Sequence, residues 1–290
     1  MAKTCAIILN YFGYIKTCRC VESLSNEAIN LLLIIDNSAN ADEFKRLKHA
    51  IERIEYNADF GQVVVLSVDE NLGFAGGVNF GVSWVEEYEP CDYYLLINND
   101  AYASKGLVAR LSDFLVCYPE TALVAPIIKS GQDVSGLNWY RRWIGSTAQS
   151  GVSRGFPWLS GCCLLLSKTY FDNNIFDECF FMYGEDVELC WRLFENKINY
   201  QLVEDACVYH DKIGSSYEGG LFYEYHLNRG HILLSVRLIR SKYEIPFLLL
   251  SKLSFLFFRS ILRCFRFNSM TPFFSFLLSI IPLKIRSSKR

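Results

Sequence analysis

Tyr94-Leu95-Leu96-Ile97-Asn98-Asn99-Asp100 is an apolar run that stops abruptly at two asparagines and a carboxylate. A short apolar run that ends in polar turn formers is typical of a buried strand. In open α/β sheets, ligands bind just beyond the carboxyl ends of the strands, so Asp100 would lie at the floor of a cleft. A carboxylate there can hold a divalent cation. Taken alone, the three polar residues are more often only a turn.

The composition indicates a globular protein with a large core and an uneven charge. The 290 residues are 51% hydrophobic and 15% aromatic, with a net charge of −2. This length suits one large α/β domain with an appendage, or two small domains. Residues 241–290 carry nine Lys and Arg against one acid, a net charge of +8 that leaves −10 on residues 1–240. We therefore expect an anionic surface as the partner of the tail, and no nucleic acid.

The cysteines and the N-terminus indicate a cytoplasmic protein. The 11 cysteines include no C-x-x-C pair, so we expect small, reduced core side chains rather than disulfides or zinc ligands. The chain begins directly with a strand-like run, and we expect no signal peptide. It has no uninterrupted run of about 18 apolar residues, and we expect no membrane-spanning helix.

Strand-like and helix-like segments alternate along the chain. Strands are expected at Cys5–Leu9, Leu31–Ile35, Val63–Leu66, Tyr94–Ile97, Leu123–Ile128, Trp158–Leu166, Tyr200–Val203 and Ala206–Tyr209, and helices at 14–29, 41–54, through Trp84, at Leu107–Val116 and at Val187–Asn196. The first seven elements have the order of a parallel α/β sheet with right-handed crossovers. The polar loops after the strands would then meet at one edge, which is the predicted site.

A glycine-rich loop, Asn71-Leu72-Gly73-Phe74-Ala75-Gly76-Gly77-Val78-Asn79, follows a predicted strand and opens a helix. Its backbone N–H groups could approach a nucleotide, but it is neither the G-x-G-x-x-G fingerprint nor a P-loop, and tight helix–strand packing is an equal alternative. Asp36 ends a strand at the same edge and could bind a nucleobase imide or a ribose hydroxyl, or only cap the next helix. The candidate donor contacts are Asn10, Asp36, Asn71, Gly73, Asn79 and Asn99.

Three ionisable residues in the second half of the chain are candidates for chemistry. Glu185 and Asp186 follow an aromatic strand, Phe180–Tyr183, and start a helix. A carboxylate beside such an apolar wall can have a raised pKa and serve as a general base, although acids are also common in a first helical turn. His210 ends a strand at the rim predicted for Asp100, so it is a candidate for binding metal or phosphate, or a structural hydrogen bonder.

Five motifs follow one another along the chain. They are Asp36-Asn37-Ser38, the Asn71–Asn79 loop, Asn98-Asn99-Asp100, Trp158-Leu159-Ser160-Gly161 and Phe181-Met182-Tyr183-Gly184-Glu185-Asp186-Val187-Glu188-Leu189-Cys190-Trp191-Arg192. In this order and spacing they resemble the family 2 glycosyltransferases, most of all the bacterial rhamnosyltransferase-like branch, over roughly residues 4–235. The resemblance implies the α/β GT-A fold, a mixed, mainly parallel sheet flanked by helices. It also implies inverting transfer from a nucleotide-diphosphate sugar to a glycan or lipid-linked acceptor of a bacterial surface polysaccharide such as O-antigen.

The resemblance also gives roles to individual residues. It makes Asp100 the metal-binding end of the family's D-x-D motif, with Asn98 where the first Asp could be. Mg²⁺ or Mn²⁺ would then rest on one carboxylate, the donor diphosphate and His210. It makes Asp186 the catalytic base, with Glu185 beside it. The chemistry suits these residue types, since an in-line displacement needs a base for the acceptor hydroxyl and a cation for the departing diphosphate.

The segment 245–290 alternates Leu, Phe and Ile with basic residues. Lys252, Arg259, Arg263 and Arg266 fall on one helical face, and Pro272–Leu283 is a second apolar segment. Basic amphipathic helices lie in the membrane interface and prefer anionic lipid, and the alternative is a helix packed on the catalytic domain. We therefore expect a GT-A domain over residues 1–240 and a membrane-associating tail over 241–290, at the inner face of the cytoplasmic membrane.

Two other functions compete with this interpretation. A sugar nucleotidyltransferase has a similar α/β start, but that class would place a Gly-rich loop with Arg after the first strand, where this chain has Asn10-Tyr11-Phe12-Gly13. A non-catalytic nucleotide-sugar-binding protein could keep the fold. The presence of Asp100, Glu185, Asp186 and His210 together argues against it.

Overall fold

The elements described here come from a computed structural model that describes residues 2–58, 60–149, 155–171, 173–211 and 218–281. The strands in this part of the chain are β1 (Thr4–Asn10), β2 (Leu31–Asp36), β3 (Gln62–Ser67), β4 (Tyr93–Ile97), β5 (Ala101–Ala103), β6 (Thr121–Ser130), β7 (Asp133–Ser135), β8 (Leu137–Arg141), β9 (Ser146–Ala148), β10 (Phe156–Leu159), β11 (Cys163–Ser167) and β12 (Asn199–His210). The helices are α1 (Tyr14–Leu24), α2 (Ala41–Ile51), α3 (Gly73–Tyr88), α4 (Leu107–Cys117), α5 (Glu185–Glu195), α6 (Leu221–Arg237), α7 (Ile245–Phe267) and α8 (Thr271–Ser279).

The main sheet has the strand order β3-β2-β1-β4-β11-β6-β12-β5, with β7 paired to β6. The strands β1 to β4 pair in parallel, as does β12 with β6, whereas β11 runs antiparallel to both β4 and β6. The predicted α/β class with a mixed, mainly parallel sheet is therefore confirmed. The carboxyl ends of β1, β2 and β4 lie side by side, as the parallel order requires.

Helices cover both faces of the first strands because these strands are apolar on both faces. In β2, Leu32 and Leu33 are fully buried and point to opposite faces, as successive strand residues do. Leu33 belongs to the core beneath α3, with Val82, and Leu32 belongs to the core beneath α1, α2 and α4, with Leu111. Burying one such side chain stabilises the fold by roughly 1.5–3 kcal/mol. The core therefore holds the strand ends, and the loops that follow them, in fixed positions.

Three strand predictions were wrong. The aromatic segment Phe180–Tyr183 is not a strand, because the chain bends there and leads directly into α5. The run Trp158–Leu166 is not one kinked strand, because its first part pairs with β8 in a separate three-stranded sheet and its second part pairs with β4. The chain crosses between the two sheets at 160–162. The segments Tyr200–Val203 and Ala206–Tyr209 are not separate, because β12 continues through a bulge in its pairing with β6 between Val203 and Cys207.

The tail contains the predicted break and an unpredicted length of helix. Asn268 ends α7 in a left-handed conformation, and Pro272 lies in the first turn of α8. The stretch Lys242–Phe267 has 26 residues and a mean hydropathy of 1.7, and by length and composition alone it could cross a membrane. Length and composition do not distinguish a membrane span from a helix packed on a protein, so the expectation of no membrane-spanning helix stays a prediction. The end of the second apolar segment, residues 282–283, lies outside the described residues.

Three of the four basic residues of α7 face the protein rather than its surroundings. The Arg263 guanidinium donates to Glu224 of α6 at 2.8 Å, and Arg259 donates to the Asn228 side chain at 3.0 Å. Lys252 is 1% exposed and lies near the Tyr140 ring, whereas the Arg266 side chain is 67% exposed. The four basic residues were predicted to turn toward anionic lipid, and three of them are instead turned inward. The division into domains at residue 240 stays a prediction.

Candidate active site

A cleft of about 420 Å³ opens at the carboxyl ends of β1, β2 and β4. The residues that line it include Tyr11, Asn37, Asn71, Gly73, Asn98, Asn99, Asp100, Ser160, Gly161, Phe181, Tyr183, Glu185, Asp186, His210, Phe222 and Tyr223. The sheet edge predicted from the sequence is therefore the wall of a real cleft. It brings together Asn71, Gly73, Asn99, Asp100, Glu185, Asp186 and His210, seven of the ten predicted site residues.

The glycine-rich loop is held against the wall of the cleft by Asn37. The Asn37 amide donates to the Gly73 carbonyl at 2.8 Å, and its oxygen accepts from the Leu72 N–H at 2.9 Å. Gly73 has φ 74°, and an added Cβ would overlap the Phe181 carbonyl, which itself accepts from the Phe74 N–H at 2.7 Å. Only glycine fits this close approach of two backbones. Asn71 accepts from the Gly73 N–H at 2.9 Å and so shapes the same turn.

Asn10 and Asp36 are fully buried behind the lining rather than part of it. The Asn10 amide donates to Asp36 at 2.9 Å and to Glu43 at 3.1 Å, and Thr17 donates to the Asn10 oxygen at 2.8 Å. Burial raises the pKa of Asp36, although its hydrogen bonds oppose the shift. The Asn99 amide donates to Thr17 at 3.1 Å and links this network to the cleft. Contact of these residues with a donor stays a prediction.

Asn79 also lies outside the lining, and its side chain holds another segment in place. Its oxygen accepts from the Phe176 N–H at 3.1 Å, and its amide donates to the Phe176 carbonyl at 2.8 Å and to Glu178 at 3.0 Å. The residue is 2% exposed. In this position it fixes the chain that leads to Glu185, so any effect on a donor would pass through that chain.

Asp100 and His210 meet at one end of the cleft. The His210 Nε2 atom lies 3.3 Å from the Asp100 Oδ1 atom, and the Asp211 N–H donates to the Asp100 carbonyl at 3.0 Å. The hydrogen bond to Asp100 raises the pKa of His210, and this outweighs the lowering by burial. The pairing of β12 with β5 positions the imidazole, because His210 lies opposite Ala101. The predicted proximity of the two side chains is present.

The donor set fits a divalent cation only if a substrate completes it. One carboxylate and one imidazole at the cleft floor are ligands that Mn²⁺ accepts, and Mg²⁺ prefers carboxylate with phosphate oxygens. Among the described residues, no group of three or more His, Cys, Asp and Glu side chains could hold a metal by itself. Diphosphate oxygens would supply the remaining ligands. Asp100 and His210 are the residues that would hold the ion.

Glu185 and Asp186 form the first turn of α5 on the wall of the cleft. The Asp186 Oδ2 atom accepts from the Gly161 N–H at 3.0 Å, and its Oδ1 atom accepts from the Val187 N–H at 2.8 Å. Glu185 is 7% exposed, and its Oε2 atom has no hydrogen-bond partner among the described residues. A carboxylate has about four lone-pair sites, so Asp186 can still accept a proton or a hydroxyl hydrogen bond.

The two carboxyl groups have separated pKa values. Burial, and to a smaller extent the charge of Asp186, raise the pKa of Glu185 to about 8. Burial raises the pKa of Asp186 to about 6, while the N–H groups of Gly161 and Val187 oppose the shift. Near neutral pH the pair therefore consists of an ionised Asp186 and a protonated Glu185. A base with a pKa near 6 suits proton transfer at neutral pH.

The turn that presents this pair is clamped from two sides. Tyr183 has φ 66° and Gly184 has φ 103°, both in the left-handed region. On one side the Phe181 carbonyl contacts Gly73 of the glycine-rich loop. On the other side Gly230 of α6 lies so close that an added Cβ would overlap the Tyr183 carbonyl oxygen. The position of Asp186 therefore depends on two glycines that lie far from it in sequence.

Replacing Gly230 by alanine is expected to destabilise the protein, although Gly to Ala inside a helix normally stabilises it by about 1 kcal/mol. The new methyl group would push the Tyr183 carbonyl and shift the turn before Asp186. We expect a loss of roughly 1–3 kcal/mol in the free energy of unfolding, together with lower activity. Denaturant unfolding measures this. Gly76→Ala is the matched control, since its Cβ would meet only the Leu72 side chain at 3.2 Å. Equal stability of both variants would contradict the clamp.

The glycine-rich loop, Asp100, Glu185 and Asp186 all lie in the first two thirds of the chain. This is the part of the chain that matches a known family. The family model described as "Glycosyl transferase family 2" matches residues 5–194. The chain belongs to glycosyl transferase family 2. The resemblance found in the motifs is thereby confirmed, and membership of a glycosyltransferase family argues against the sugar nucleotidyltransferase.

Curated relatives of this family 2 enzyme come from Mycobacterium tuberculosis. The N-acetylglucosaminyl-diphospho-decaprenol L-rhamnosyltransferases of strains CDC 1551 / Oshkosh and ATCC 25618 / H37Rv are each 28% identical over 188 residues. The matched region is 54% of this chain and 61% of each relative, so this chain spans less than two thirds of the mycobacterial proteins it matches.

Solved glycosyltransferase structures share the fold of this family 2 enzyme. GalNAc-T7 with UDP, GalNAc and Mn²⁺ has a TM-score of 0.58 at 12% identity, covering 79% of this chain and 47% of that one. The mannosyltransferase PcManGT of Pyrobaculum calidifontis, in complex with GDP-Man and Mn²⁺, has a TM-score of 0.58 at 8% identity, covering 97% and 86%. S. aureus TarS 1-349 has a TM-score of 0.57 at 12% identity, covering 96% and 81%. The GT-A fold is thereby confirmed.

Sequence reasoning missed three residues that line the cleft of this family 2 enzyme. Asn37 holds the glycine-rich loop in place, and its position next to Asp36 at a strand end could have identified it from the sequence. Phe222 and Tyr223 enter the cleft from α6. They had no local signal, because only the packing of α6 against the Phe181–Gly184 turn brings them there.

Proposed function

We propose that this family 2 glycosyltransferase moves a sugar from a nucleotide-diphosphate donor to a lipid-linked glycan acceptor, with inversion at the anomeric carbon. One observation carries the proposal. Asp186, a carboxylate with a pKa raised to about 6, lines the same cleft as Asp100 and the glycine-rich loop. A base on one wall and an anion-binding floor on the other are the two parts that a single displacement requires.

The chain's own residues account for the acceptor half of the reaction. The acceptor hydroxyl oxygen attacks the anomeric carbon, its proton passes to an oxygen of Asp186, and the bond to the departing nucleoside diphosphate breaks. The N–H groups of Gly161 and Val187 hold the carboxylate in one orientation for this transfer. Protonated Glu185 beside it adds no second negative charge near the acceptor. No covalent intermediate with the enzyme is needed.

Asp100 and His210 account for the donor half. They would hold Mg²⁺ or Mn²⁺ against the donor diphosphate, and a bound cation would act there as a Lewis acid that neutralises the leaving group. The Mn²⁺ named in two structures of similar fold supports this assignment. Asn99 and the glycine-rich loop would orient the nucleotide.

The mycobacterial relatives favour a rhamnosyltransferase. Their names combine a rhamnosyl group with an N-acetylglucosaminyl-diphospho-decaprenol acceptor. For this chain we infer the same class of reaction in the synthesis of a bacterial surface polysaccharide such as O-antigen. A lipid-linked acceptor places the enzyme at the inner face of the cytoplasmic membrane, with the tail 241–290 as the part that meets it.

A two-step assay tests the function. Thermal shifts with a panel of nucleotide sugars, with and without Mn²⁺, would first identify the donor, because a ligand at 100 times its Kd stabilises the folded state by about 2.7 kcal/mol. Transfer of that labelled sugar to a detergent-dispersed, diphospholipid-linked N-acetylglucosamine would follow, with NMR of the product to read the anomeric configuration. A retained configuration, or hydrolysis without transfer to any acceptor, would contradict the proposal.

The rate of transfer is expected to fall below about pH 6. The Asp186 carboxylate must be ionised to accept the proton, and its pKa is raised to about 6. Below that pH each further unit should lower kcat/KM about tenfold. A pH profile of kcat/KM at saturating Mn²⁺ measures this. A profile that stays flat down to pH 4.5 would show that the base is another group.

A further inference from the structure

The helix α7 turns large apolar side chains outward along one side, and α8 exposes two more. This outer face consists of Phe247, Leu250, Phe258, Leu262 and Phe265 of α7, with Phe274 and Leu277 of α8. The side chains on α7 are 64% to 81% exposed. Their spacing places them on one side of the helix, as steps of three, four and seven to eight residues do. A row of large exposed apolar side chains of this kind is typical of a contact surface.

The opposite side of α7 is cationic and buried. Arg259 and Arg263 point into the interface with α6, where they bind Asn228 and Glu224, and Lys252 is buried on the same side of α7. The Lys252 Nζ atom lies 5.4 Å from the centre of the Tyr140 ring and has no hydrogen-bond partner among the described residues. The helix is therefore reversed relative to an amphipathic helix on a water-exposed surface, which turns its charges outward.

We propose that this outer face inserts into the apolar boundary of a lipid bilayer, with α7 and α8 lying in the plane of the membrane. Binding is then driven by apolar side chains, with the anionic headgroups adding a smaller electrostatic contribution. The enzyme is held on one leaflet and its body stays in the cytoplasm. This differs from a basic helix held mainly by charge.

The contacts of α7 argue against a helix that crosses the bilayer. A crossing helix would leave α6 and carry Lys252, Arg259 and Arg263 into hydrocarbon, where charged side chains are costly. In the structure Arg259 and Arg263 instead bind Asn228 and Glu224 of α6, and Lys252 is buried near the Tyr140 ring. The outer face runs along one side of the helix rather than around it.

The charge of the segment favours a lipid surface over a second copy of this chain. Three basic residues of α7, Lys252, Arg259 and Arg263, are turned away from the outer face, but residues 264–290 still carry five Lys and Arg and no acid. A second copy would bring charge of the same sign, whereas anionic headgroups complement it. Each Lys or Arg near such a surface adds attraction that salt can screen.

The end of α7 also lies beside the cleft. Gly219 packs on the Phe267 ring, where an added Cβ would lie 2.9 Å from the ring. The Arg263 guanidinium lies 5.7 Å from the ring of Tyr223, which lines the cleft. Insertion of the outer face would thus bring the mouth of the cleft to the lipid surface where a lipid-linked acceptor is held. Only this last argument rests on the proposed function.

Vesicle flotation of the full-length protein tests the inference without any acceptor. Vesicles of phosphatidylcholine alone, and of phosphatidylcholine with phosphatidylglycerol, should both carry the protein upward, and binding to the neutral vesicles should persist in 1 M NaCl. The variant Phe258→Ser/Leu262→Ser/Phe265→Ser should bind at least tenfold more weakly. The matched control is Ile15→Ser/Tyr88→Ser/Val116→Ser, which removes side chains that are 59% to 63% exposed elsewhere and should bind like the wild type.

Three outcomes would overturn the inference. Binding only to anionic vesicles, lost in salt, would mean attachment by charge. A dimer in solution that the tail variant dissociates, without vesicle binding, would make a second copy the occupant. Protection of an added C-terminal tag from protease outside the vesicles would mean a crossing helix. The variant Phe258→Ser/Leu262→Ser/Phe265→Ser should still transfer sugar to a detergent-dispersed acceptor. This assay distinguishes a failure of the membrane inference from a failure of the proposed function.

Discussion

Asp186→Asn is expected to lower kcat for sugar transfer by about 10³-fold, within the range of 10²–10⁴ for loss of a general base. The amide cannot take the acceptor proton, whereas the position of the side chain should persist, since its oxygen can still accept from the N–H of Gly161 or Val187. Donor affinity should stay within about twofold, because Asp186 does not hold the diphosphate. Single-turnover transfer and calorimetric titration of the donor measure the two effects.

Glu185→Gln is the matched variant for this experiment. Glu185 has a pKa raised from 4.5 to about 8, so glutamine imitates the protonated form that is present at neutral pH. The raised pKa stabilises the wild type fully below pH 4.5, and this contribution is lost as the pH rises through about 8. The variant should therefore melt higher than the wild type at pH 9 and equally at pH 4. Near-normal turnover by Asp186→Asn, with loss in Glu185→Gln, would move the base to Glu185.

Asp100→Asn is expected to abolish the Mn²⁺-dependent part of donor binding and to lower kcat/KM by roughly 10²–10³-fold, as removal of one charge stabiliser does. It leaves His210 as the remaining protein ligand, and an amide oxygen carries no charge for the cation. The thermal shift on adding Mn²⁺ together with the donor should vanish, whereas the shift with the nucleotide alone should remain. The fold should tolerate the change, since the amide can still accept a hydrogen bond from His210.

Asp113→Asn serves as the control for this variant, because Asp113 is an exposed aspartate of α4. It should respond to Mn²⁺ and donor like the wild type. An unchanged Mn²⁺ response in Asp100→Asn would mean that the cation is held elsewhere. Equal activity with and without a chelator in the wild type would remove the cation from the reaction altogether.

The strand ends could be predicted because their signals are local. Tyr94–Ile97 is apolar and Asn98–Asp100 is polar, so the position of the boundary follows from neighbouring residues alone. The same holds for Asp36 and for the start of α5 at Glu185. Since parallel strands bring such ends to one edge, the sequence sufficed to group Asp36, Asp100 and His210 there, and the family resemblance added Asp186.

The parts that could not be predicted depend on partners far along the chain. The split of Trp158–Leu166 into two strands follows from the choice between β8 and β4 as partners. The roles of Asn79 and Gly230 appear only when the chain before Asp186 packs between α3 and α6. Periodicity placed Lys252, Arg259 and Arg263 on one face of α7, but it could not say that Glu224 and Asn228 would face them.

The two contacts between α3 and the segment before α5 limit how the donor specificity could be changed. Gly73 contacts Phe181, and Asn79 hydrogen-bonds the backbone of Phe176. The first two turns of α3 are therefore attached to the segment that ends at Asp186, the proposed base. If the glycine-rich loop binds the nucleotide and Asp186 accepts the proton, these two parts are linked by direct contacts. Replacing one of them would then shift the other. An engineer who grafts the glycine-rich loop of another family member would re-aim Asp186 as well, and should transplant residues 71–79 and 176–186 as a single cassette.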